Sequence, residues 1–267
     1  MMSKVYSIDF NNNVKNISPI IISEAKKLFN KNGFVVLKNS ISKNIILKVK
    51  KDLESSIKDN KISNKLRDIH FFKNGEISSA HNLFDYVYSY KKFLNTSSVL
   101  KVIKSILGKI SKRKFNSSYF AKPKFQGLET KPHQDNAFFC MEPANVVTCW
   151  MPITFANKKN GCLYYFAASH ILGNLKHIPE GNLGASMCLT NNSLKKVKNK
   201  FKKIYIELKL GDCVIHNSLV CHGSDANLSK FDRNAFNFSV GSKFAIKNRI
   251  LYKNYKNRLD LFLRQKL

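Results

Sequence analysis

The chain has 267 residues, of which 43% are hydrophobic, so it can bury a sizeable core and is not intrinsically disordered. No apolar run approaches the roughly 18 residues that a membrane-spanning helix needs. The N-terminal residues are polar and lack the apolar stretch of a signal peptide. We therefore expect a soluble, cytoplasmic protein with no membrane partner, and the sequence gives no indication of its oligomeric state.

The formal net charge of +29 raises the question of a nucleic-acid partner. It comes from 40 lysines and only 6 arginines, and the lysines are scattered along the whole chain. A phosphate-binding surface more often clusters its charge and uses arginine for bidentate contacts. The composition thus disfavours nucleic acid as the natural substrate, while leaving open whether the basic surface has a partner.

Six cysteines lie in the second half of the chain, and none forms a Cys-x-x-Cys pair. Most of them sit inside apolar runs, and no secretory signal precedes them. We therefore expect buried free thiols, although an even number of cysteines can in principle pair. The six are Cys140, Cys149, Cys162, Cys188, Cys213 and Cys221.

The first 115 residues are predicted to form a largely helical part. Ser18 as N-cap, Pro19 in the first turn and Gly33 past the end delimit a helix over residues 18–32. Residues 34–37 form an apolar run of strand type, and residues 41–57 and 97–107 have helical spacing.

From about residue 116 onward, short apolar or alternating runs are separated by turn residues, which predicts a β-rich body. Many short strands of this kind are typical of a sandwich or barrel. We expect a single domain in which the helical part packs on a body of residues 116–242, followed by a basic, partly helical tail of residues 243–267. The predicted strands cover residues 117–121, 132–139, 145–154, 162–167, 201–208, 212–217 and 234–240.

Two short motifs carry candidate metal ligands. In His133-Gln134-Asp135, an imidazole and a carboxylate two residues apart on a strand would point to the same face, although this pattern is weak by itself. His222 ends a β-type run and enters a turn, where a ligand can face a cavity. Two histidines and one carboxylate with open positions suit Fe(II), and a zinc hydrolase can use the same three ligands.

Arg233 favours iron over zinc. It lies 11 residues after His222, at the start of the strand predicted for residues 234–240. A guanidinium beside an open metal site can bind the remote carboxylate of a dicarboxylate through two parallel charge-assisted hydrogen bonds.

Taken in order, these motifs and several others resemble the phytanoyl-CoA dioxygenase family. Each motif alone is modest, but the ordered set is specific, and it extends from about residue 18 to residue 240. The chain departs from the family at Ala168, where a glycine is usual. The matching motifs are Asn32-Gly33-Phe34-Val35-Val36, Pro132-His133-Gln134-Asp135, Asn160-Gly161-Cys162-Leu163, Ser169-His170, Gly211-Asp212 and His222-Gly223-Ser224 with Asn227, Ser229 and Arg233.

The resemblance implies a mainly β fold with flanking helices, in which a double-stranded β-helix (jelly-roll, cupin-like) core carries a helical N-terminal region. It also implies Fe(II) as cofactor, with 2-oxoglutarate and O2 as cosubstrates. The residues implied for the metal are His133, Asp135 and His222. The residues implied for 2-oxoglutarate are Arg233 and Ser224, with Trp150 and Gln134 lining its pocket.

The function implied is that of an Fe(II)- and 2-oxoglutarate-dependent dioxygenase that hydroxylates a small molecule and releases succinate and CO2. Asp135 favours hydroxylation, because relatives that halogenate carry glycine or alanine at this position. One alternative is the same chemistry on nucleic acid or protein, as a demethylase or hydroxylase. Another is a catalytically inactive jelly-roll binding protein, against which the intact triad and Arg233 argue. The sequence does not disclose the substrate.

The other histidines have less specific interpretations. We expect His170 to be a structural hydrogen-bonding residue and His177 to lie in a loop. His216 is expected to pack within its strand, with a contact to a metal ligand as the alternative. His70 and His81 fall in a region that often covers the active site in this family, and their role stays open.

Overall fold

A computed structural model describes residues 6–10, 17–58, 69–96, 98–111, 116–182 and 185–264. The start of the N-terminus, residues 112–115 and the last three residues of the tail therefore lie outside the described residues. None of the helices within these ranges is both long and apolar enough to cross a bilayer. The helices are α1 (Pro19–Asn32), α2 (Lys43–Lys58), α3 (Tyr88–Thr96), α4 (Ser98–Leu107), α5 (Asn136–Phe139), α6 (Asn191–Lys200) and α7 (Arg249–Arg264).

Most strands belong to two sheets, one of eight strands and one of four. The strands are β1 (Ser7–Asp9), β2 (Phe34–Lys38), β3 (Ile69–Phe71), β4 (Ile77–His81), β5 (Ser117–Lys122), β6 (Thr130–His133), β7 (Met141–Glu142), β8 (Val146–Pro152), β9 (Leu163–Phe166), β10 (His177–Asn182), β11 (Ala185–Leu189), β12 (Lys203–Tyr205), β13 (Cys213–Asn217), β14 (His222–Ser224), β15 (Arg233–Gly241) and β16 (Ile246–Lys247). The large sheet has the order β1-β2-β13-β8-β15-β5-β4-β3, and the small sheet the order β12-β9-β14-β6. β10 pairs with β11, and β7 with β16.

Helix α1 begins and ends where the sequence predicts. The Ser18 side chain accepts a hydrogen bond from the Ile21 backbone N–H, and Pro19 occupies the first turn. Gly33 ends the helix in the left-handed region, with φ of 79°, and its N–H donates to the Phe29 carbonyl. A Cβ at Gly33 would lie 2.6 Å from Nδ1 of His170, so glycine is required there both for its backbone conformation and for the close approach.

The large sheet is buried on both faces, which explains why its central strands are almost continuously apolar. On β2, Val35 and Leu37 point to a core shared with α1, α2, α3 and α4. Phe34 and Val36 point the other way, into a second core formed with the small sheet, where Phe34 stacks on Tyr165 of β9. The result is a helical layer, a large sheet and a small sheet, which confirms the predicted mainly β jelly-roll core with flanking helices.

Several predicted elements differ from the structure. The strand predicted for residues 132–139 ends at His133, and α5 follows, because the chain turns sharply at Gln134 and Asp135. The N-terminal part was predicted to be largely helical. It contains helices α1 to α4, but it also contains strands β1 to β4, which belong to the large sheet. Helix α6 and the β10–β11 hairpin were not predicted. All six cysteines are buried and free, which confirms the thiol prediction.

Candidate metal centre and carboxylate pocket

His133, Asp135 and His222 meet between the two sheets. His133 is the last residue of β6 and His222 the first of β14, and the two are directly paired across the small sheet. Oδ1 of Asp135 lies 3.7 Å from Nε2 of His133 and 3.6 Å from Nε2 of His222. One ligand atom from each of the three residues lies within 4.8 Å of the others, so a single ion can contact all three.

Two details of this arrangement differ from the sequence prediction. Asp135 does not share a strand with His133: it has helical dihedral angles, with φ of −59° and ψ of −31°, at the start of α5. The turn, and not the period of a strand, brings its carboxylate beside the imidazole. His222 begins a strand instead of ending one, and the pairing of β14 with β6 places it opposite His133.

Both histidines are oriented by a backbone carbonyl two residues earlier in the chain. Nδ1 of His133 lies 2.9 Å from the Lys131 carbonyl, and Nδ1 of His222 lies 3.1 Å from the Val220 carbonyl. Each Nδ1 therefore donates its proton, which leaves the Nε2 lone pair facing the metal position. Burial lowers the pKa of both imidazoles, so that they are held in the neutral form that binds a metal.

The Asp135 carboxylate is held by two further side chains. Its Oδ2 accepts from the Thr148 hydroxyl at 2.6 Å and lies 3.0 Å from Nε2 of His216. Nδ1 of His216 is in turn 2.9 Å from the Tyr165 hydroxyl. Burial alone would raise the pKa of Asp135, but the imidazoles of His222 and His216 outweigh it and hold that pKa well below its usual range.

His216 is thus a partner of the candidate metal ligand Asp135, which was the less favoured of its two interpretations. The contact depends on how two strands pair. His216 on β13 lies directly opposite Thr148 on β8, and both side chains point inward from the large sheet. Pairing of these two strands is not visible in the sequence, so the contact with Asp135 could not be predicted from it.

A pocket with two buried basic side chains adjoins the metal position. Arg233 is the first residue of β15 and pairs directly with Lys122, the last residue of β5. Within the described chain, Nε of Arg233 has no hydrogen-bond partner, and its guanidinium carbon lies 5.6 Å from the centre of the Trp150 ring. Burial lowers the pKa of Arg233 to about 10. A buried guanidinium with an unsatisfied N–H is suited to an anionic ligand.

Lys122 is a site residue that was not assigned from the sequence. Its Nζ donates to the Ser224 hydroxyl at 2.6 Å and to the Asp225 carbonyl at 2.7 Å. Burial, together with the nearby charge of Arg233, lowers the pKa of Lys122 to about 6. A Cβ at Gly127 would lie 2.1 Å from Cγ of Lys122, so the neighbouring loop needs a glycine to leave room for the lysine.

Of the residues expected near 2-oxoglutarate, Ser224 and Trp150 line the same cavity as Arg233, and Gln134 does not. The Gln134 amide nitrogen donates to the Gly173 and Leu219 carbonyls, and its oxygen accepts from the Leu175 N–H. Gln134 thus ties loops together on the side away from the cavity, because the chain turns directly after His133.

The cavity has a volume of about 820 Å³ and lies between the two sheets. The candidate metal ligands, Arg233 and Lys122 line one part of it. The rest of the lining comes from β3, β4, β5 and β15 together with α5 and α7, and it is both polar and aromatic. The residues of this part include His70, Ser79, His81, Phe120, Phe138, Asn237 and Tyr255. His70 and His81 therefore face the space that a substrate would occupy.

The two remaining histidines lie outside the cavity lining. His170 packs against Gly33, and its Nε2 lies 3.2 Å from the Asn30 carbonyl, as expected for a structural residue. His177 was expected to lie in a loop, but it is a buried residue of strand β10. Its Nε2 accepts from the Gln134 N–H at 3.0 Å, and burial lowers its pKa to about 4. His177 therefore supports the turn that carries Asp135.

The donor set fits a ferrous ion. Two neutral imidazoles and one carboxylate lie on one side of the metal position, and the cavity lies on the other side, as non-haem Fe(II) oxygenases require. The guanidinium of Arg233, with its unsatisfied Nε, supplies positive charge in the same cavity, and the buried amine of Lys122 beside it can accept a proton when a carboxylate binds.

Comparison with known proteins agrees with this geometry. The family model of phytanoyl-CoA dioxygenase matches residues 29–235. A phytanoyl-CoA dioxygenase from Arabidopsis thaliana is 31% identical over 164 residues, which are 60% of this chain and 56% of that protein. The peroxisomal phytanoyl-CoA dioxygenase of Rattus norvegicus is 23% identical over 236 residues, which cover 84% of this chain and 69% of that protein. The chain thus spans little more than half the length of the Arabidopsis relative.

Two solved structures show the same fold. EctD from S. alaskensis, determined with 2-oxoglutarate and 5-hydroxyectoine, has a TM-score of 0.67 and 17% identity, over 85% of this chain and 76% of that one. The 2-oxoglutarate-dependent carbocyclase SnoK from nogalamycin biosynthesis has a TM-score of 0.64 and 17% identity, over 87% of both chains.

Proposed function

The chain belongs to the phytanoyl-CoA dioxygenase family of Fe(II)- and 2-oxoglutarate-dependent oxygenases, and from this premise we propose that it hydroxylates a small molecule with release of succinate and CO2. The observation that carries the proposal is the meeting, in one cavity, of the triad His133, Asp135 and His222 with the buried cations Arg233 and Lys122. Iron(II) bound by such a triad couples the oxidative decarboxylation of 2-oxoglutarate by O2 to the insertion of one oxygen atom into a substrate C–H bond.

The triad residues would hold the metal in a fixed orientation. Because each imidazole donates from Nδ1 to a carbonyl, only its Nε2 is available to the ion. Asp135 would bind through Oδ1, since Oδ2 is occupied by Thr148 and His216. A carboxylate retained at this position leaves no room for a halide ligand and favours hydroxylation.

Arg233 and Lys122 would bind the remote carboxylate of 2-oxoglutarate. Arg233 offers an unsatisfied N–H, and Lys122 holds the Ser224 hydroxyl within the same pocket. The positive charge of both groups is costly in the buried pocket without an anion, so a carboxylate would be strongly stabilised there. Trp150 would close one side of this pocket, because its ring lies beside the guanidinium.

The rest of the cavity would bind the substrate. Asn237, Ser79 and His81 provide hydrogen-bonding groups on one wall, and Phe120 and Phe138 provide aromatic surface nearby. A molecule of moderate size that carries both polar and apolar parts matches such a lining. His133 and Phe138 are in edge-to-face contact, with ring centres 5.6 Å apart, so a substrate lying against Phe138 would be close to the metal.

The test is succinate release by the full chain with Fe(II), ascorbate, O2 and 2-oxoglutarate. We expect slow, iron-dependent succinate formation without substrate, and faster formation when a panel of acyl thioesters, amino-acid-like solutes, phosphonates and natural-product intermediates includes the substrate. A product that is heavier by one oxygen atom would identify it. Asp135→Ala serves as the inactive control. The absence of iron-dependent succinate under all these conditions would instead support an inactive jelly-roll protein.

The charge of +29 supports one alternative, in which the same chemistry acts on nucleic acid or protein. If the lysines only attract polyanions non-specifically, binding to oligonucleotides should fall by about a thousandfold or more between 50 and 200 mM salt. It should also be unchanged in Asp135→Ala. Tight binding at 200 mM salt, or a modified base formed in proportion to succinate, would favour this alternative.

A further inference from the structure

Two loops beside the cavity expose large apolar side chains, and residues of the first loop also line the cavity. The first loop, residues 123–129, follows β5, and the second, residues 227–232, precedes β15. Relative exposure is 63% for Phe125, 70% for Leu128, 76% for Leu228 and 63% for Phe231. Four such residues on two adjoining loops are more than the scattered apolar residues of an ordinary protein surface, and they indicate an interaction site.

Hydrogen bonds hold the two loops together. The Phe125 N–H donates to the Ser229 carbonyl at 3.1 Å, and Gly127 pairs with Asn227. The Asn227 side chain is fully buried and donates to the carbonyls of Lys122 and Phe231. The apolar side chains thus lie on two loops that are fixed to each other. The first loop follows Lys122 and the second precedes Arg233, so both adjoin the carboxylate pocket.

The backbone of Phe125 is itself unfavourable for a bulky residue. Its φ is 59°, in the left-handed region, where side chains other than glycine and asparagine are rare. Its ring nevertheless remains mostly in solvent, so core packing does not offset this strain. Strain that is not repaid by burial is typical of a functional position.

The charged groups around these loops are lysines and a few carboxylates. Lys124 and Lys230 are exposed on the loops, and the carbonyl of Lys159 accepts from the Leu228 N–H, which brings a third loop alongside. Glu129 and Asp232 are also exposed here, and Asp232 accepts from the Lys124 backbone N–H. Three lysines and two carboxylates leave a positive balance, in a chain whose net charge is +29.

We propose that this pair of loops is a docking site for an anionic lipid surface, into which Phe125, Leu128, Leu228 and Phe231 insert. Lysine is depleted from protein interfaces, whereas its long apolar stem and charged end suit the boundary between headgroups and acyl chains. Leu128 also lines the cavity, so docking would place the cavity mouth at the lipid surface. The expectation of no membrane partner was based on the lack of a spanning segment, which does not bear on peripheral contact.

The proposal is tested by co-sedimentation of the full chain with vesicles of phosphatidylcholine alone or mixed with phosphatidylglycerol. We expect binding to the mixed vesicles. Phe125→Ser combined with Leu228→Ser should weaken it by on the order of tenfold or more, because two large apolar side chains no longer insert. The control is Ile20→Ser on α1, a side chain that is 78% exposed on the helical face of the large sheet, and it should bind like the wild type.

The charge contribution is measured with a second matched pair. Lys124→Gln combined with Lys230→Gln should weaken binding by about fivefold for each lysine, since a lysine near an anionic membrane contributes about 1 kcal/mol. Lys26→Gln combined with Lys27→Gln on α1 removes the same charge from the other face and should have a smaller effect. Equal losses from both pairs would show that the net charge alone drives binding, and would overturn the proposal.

Insertion itself is seen by fluorescence. Trp150 is the only native tryptophan and is 5% exposed, so the emission of Phe125→Trp reports mainly on the loop. We expect a blue shift with mixed vesicles, which persists at high salt once the chain is bound. No shift, or no binding to mixed vesicles, would overturn the proposal and leave an acidic protein surface as the candidate partner.

Discussion

The two ends of the catalytic pocket are built differently. At the metal end, each candidate ligand has a second atom engaged: His133 and His222 by backbone carbonyls, and Asp135 by Thr148 and His216. At the carboxylate end, two basic side chains lie side by side without a carboxylate in hydrogen-bond contact among the described residues.

The side chains at the metal end are held in place by the protein itself, whereas those at the carboxylate end lack a partner that a bound anion would supply. The candidate metal ligands are already oriented, so binding an ion would need little rearrangement. At the carboxylate end, Nε of Arg233 is unsatisfied and burial lowers the pKa of Lys122 to about 6, so this end is electrostatically incomplete until an anion arrives. Changes at the metal end should therefore act on iron, and changes at the carboxylate end on 2-oxoglutarate.

The largest effect is expected from the triad itself. His133→Ala, Asp135→Ala and His222→Ala should each abolish 2-oxoglutarate turnover, because loss of one of three ligands from an open site removes most of the metal affinity. Succinate formation and bound iron are measured on the same samples. Thermal unfolding without metal should show that each variant still folds. A variant that turns over at the wild-type rate would exclude that residue as a ligand.

Arg233→Lys should have the next largest effect, and it should act on 2-oxoglutarate and not on iron. An ammonium cannot reproduce the bidentate contact, and losing such a charge-assisted pair in a sheltered pocket costs on the order of 2–3 kcal/mol. The concentration of 2-oxoglutarate needed for half-maximal turnover should rise by tens- to a hundredfold. Iron affinity, measured separately, should be unchanged. An unaltered 2-oxoglutarate requirement would leave Lys122 as the main clamp.

The two ends also differ in how far the sequence discloses them. The candidate triad and Arg233 could be proposed from spacing and from the ordered motifs. The geometry that brings them into one cavity could not, because it depends on the pairing of distant strands. His216 reaches Asp135 only because β13 lies beside β8, and Lys122 reaches Arg233 only because β5 lies beside β15.

The fold shows the same limit. Helix α1 was predicted closely because Ser18, Pro19 and Gly33 act locally. Strand β3 is the edge strand of the large sheet, and β4 joins it to β5. The place of this hairpin in the sheet therefore depends on the pairing of β4 with a strand that is distant in sequence, and no local pattern marks it. Gln134, which the resemblance implied for the 2-oxoglutarate pocket, lies outside the cavity lining because the chain turns into α5 at this point.

The hydrogen bonds behind Asp135 can be tested separately from the ligands. Thr148→Val keeps the shape of the side chain and removes the 2.6 Å bond to Oδ2, and His216→Phe removes the other partner. We expect each variant to weaken metal binding by about tenfold, as for other residues that orient metal ligands. Titration with Co(II), followed by its visible absorption, measures affinity and ligand geometry together. An unchanged spectrum with unchanged affinity would show that Asp135 needs no support.

The smallest effect concerns the pH dependence of 2-oxoglutarate binding. Burial lowers the pKa of Lys122 to about 6, so without an anion the side chain is mostly neutral at pH 7.5. A bound carboxylate favours the charged form, so binding above pH 6 should take up a proton. Affinity should then be constant below pH 6 and fall as the pH rises, by at most about tenfold per unit, until the pKa of the loaded state is reached.

Calorimetry in two buffers of different ionisation enthalpy gives both the affinity and the number of protons taken up. Lys122→Met should bind 2-oxoglutarate more weakly than the wild type near pH 6 and should lose the pH dependence, while His133 and His222 remain as they were. Because the two histidines are the same in both proteins, the difference between the two pH profiles reports on Lys122 alone. If the wild type and Lys122→Met show the same profile, Lys122 does not face the carboxylate, and the carboxylate end contains one working cation instead of two.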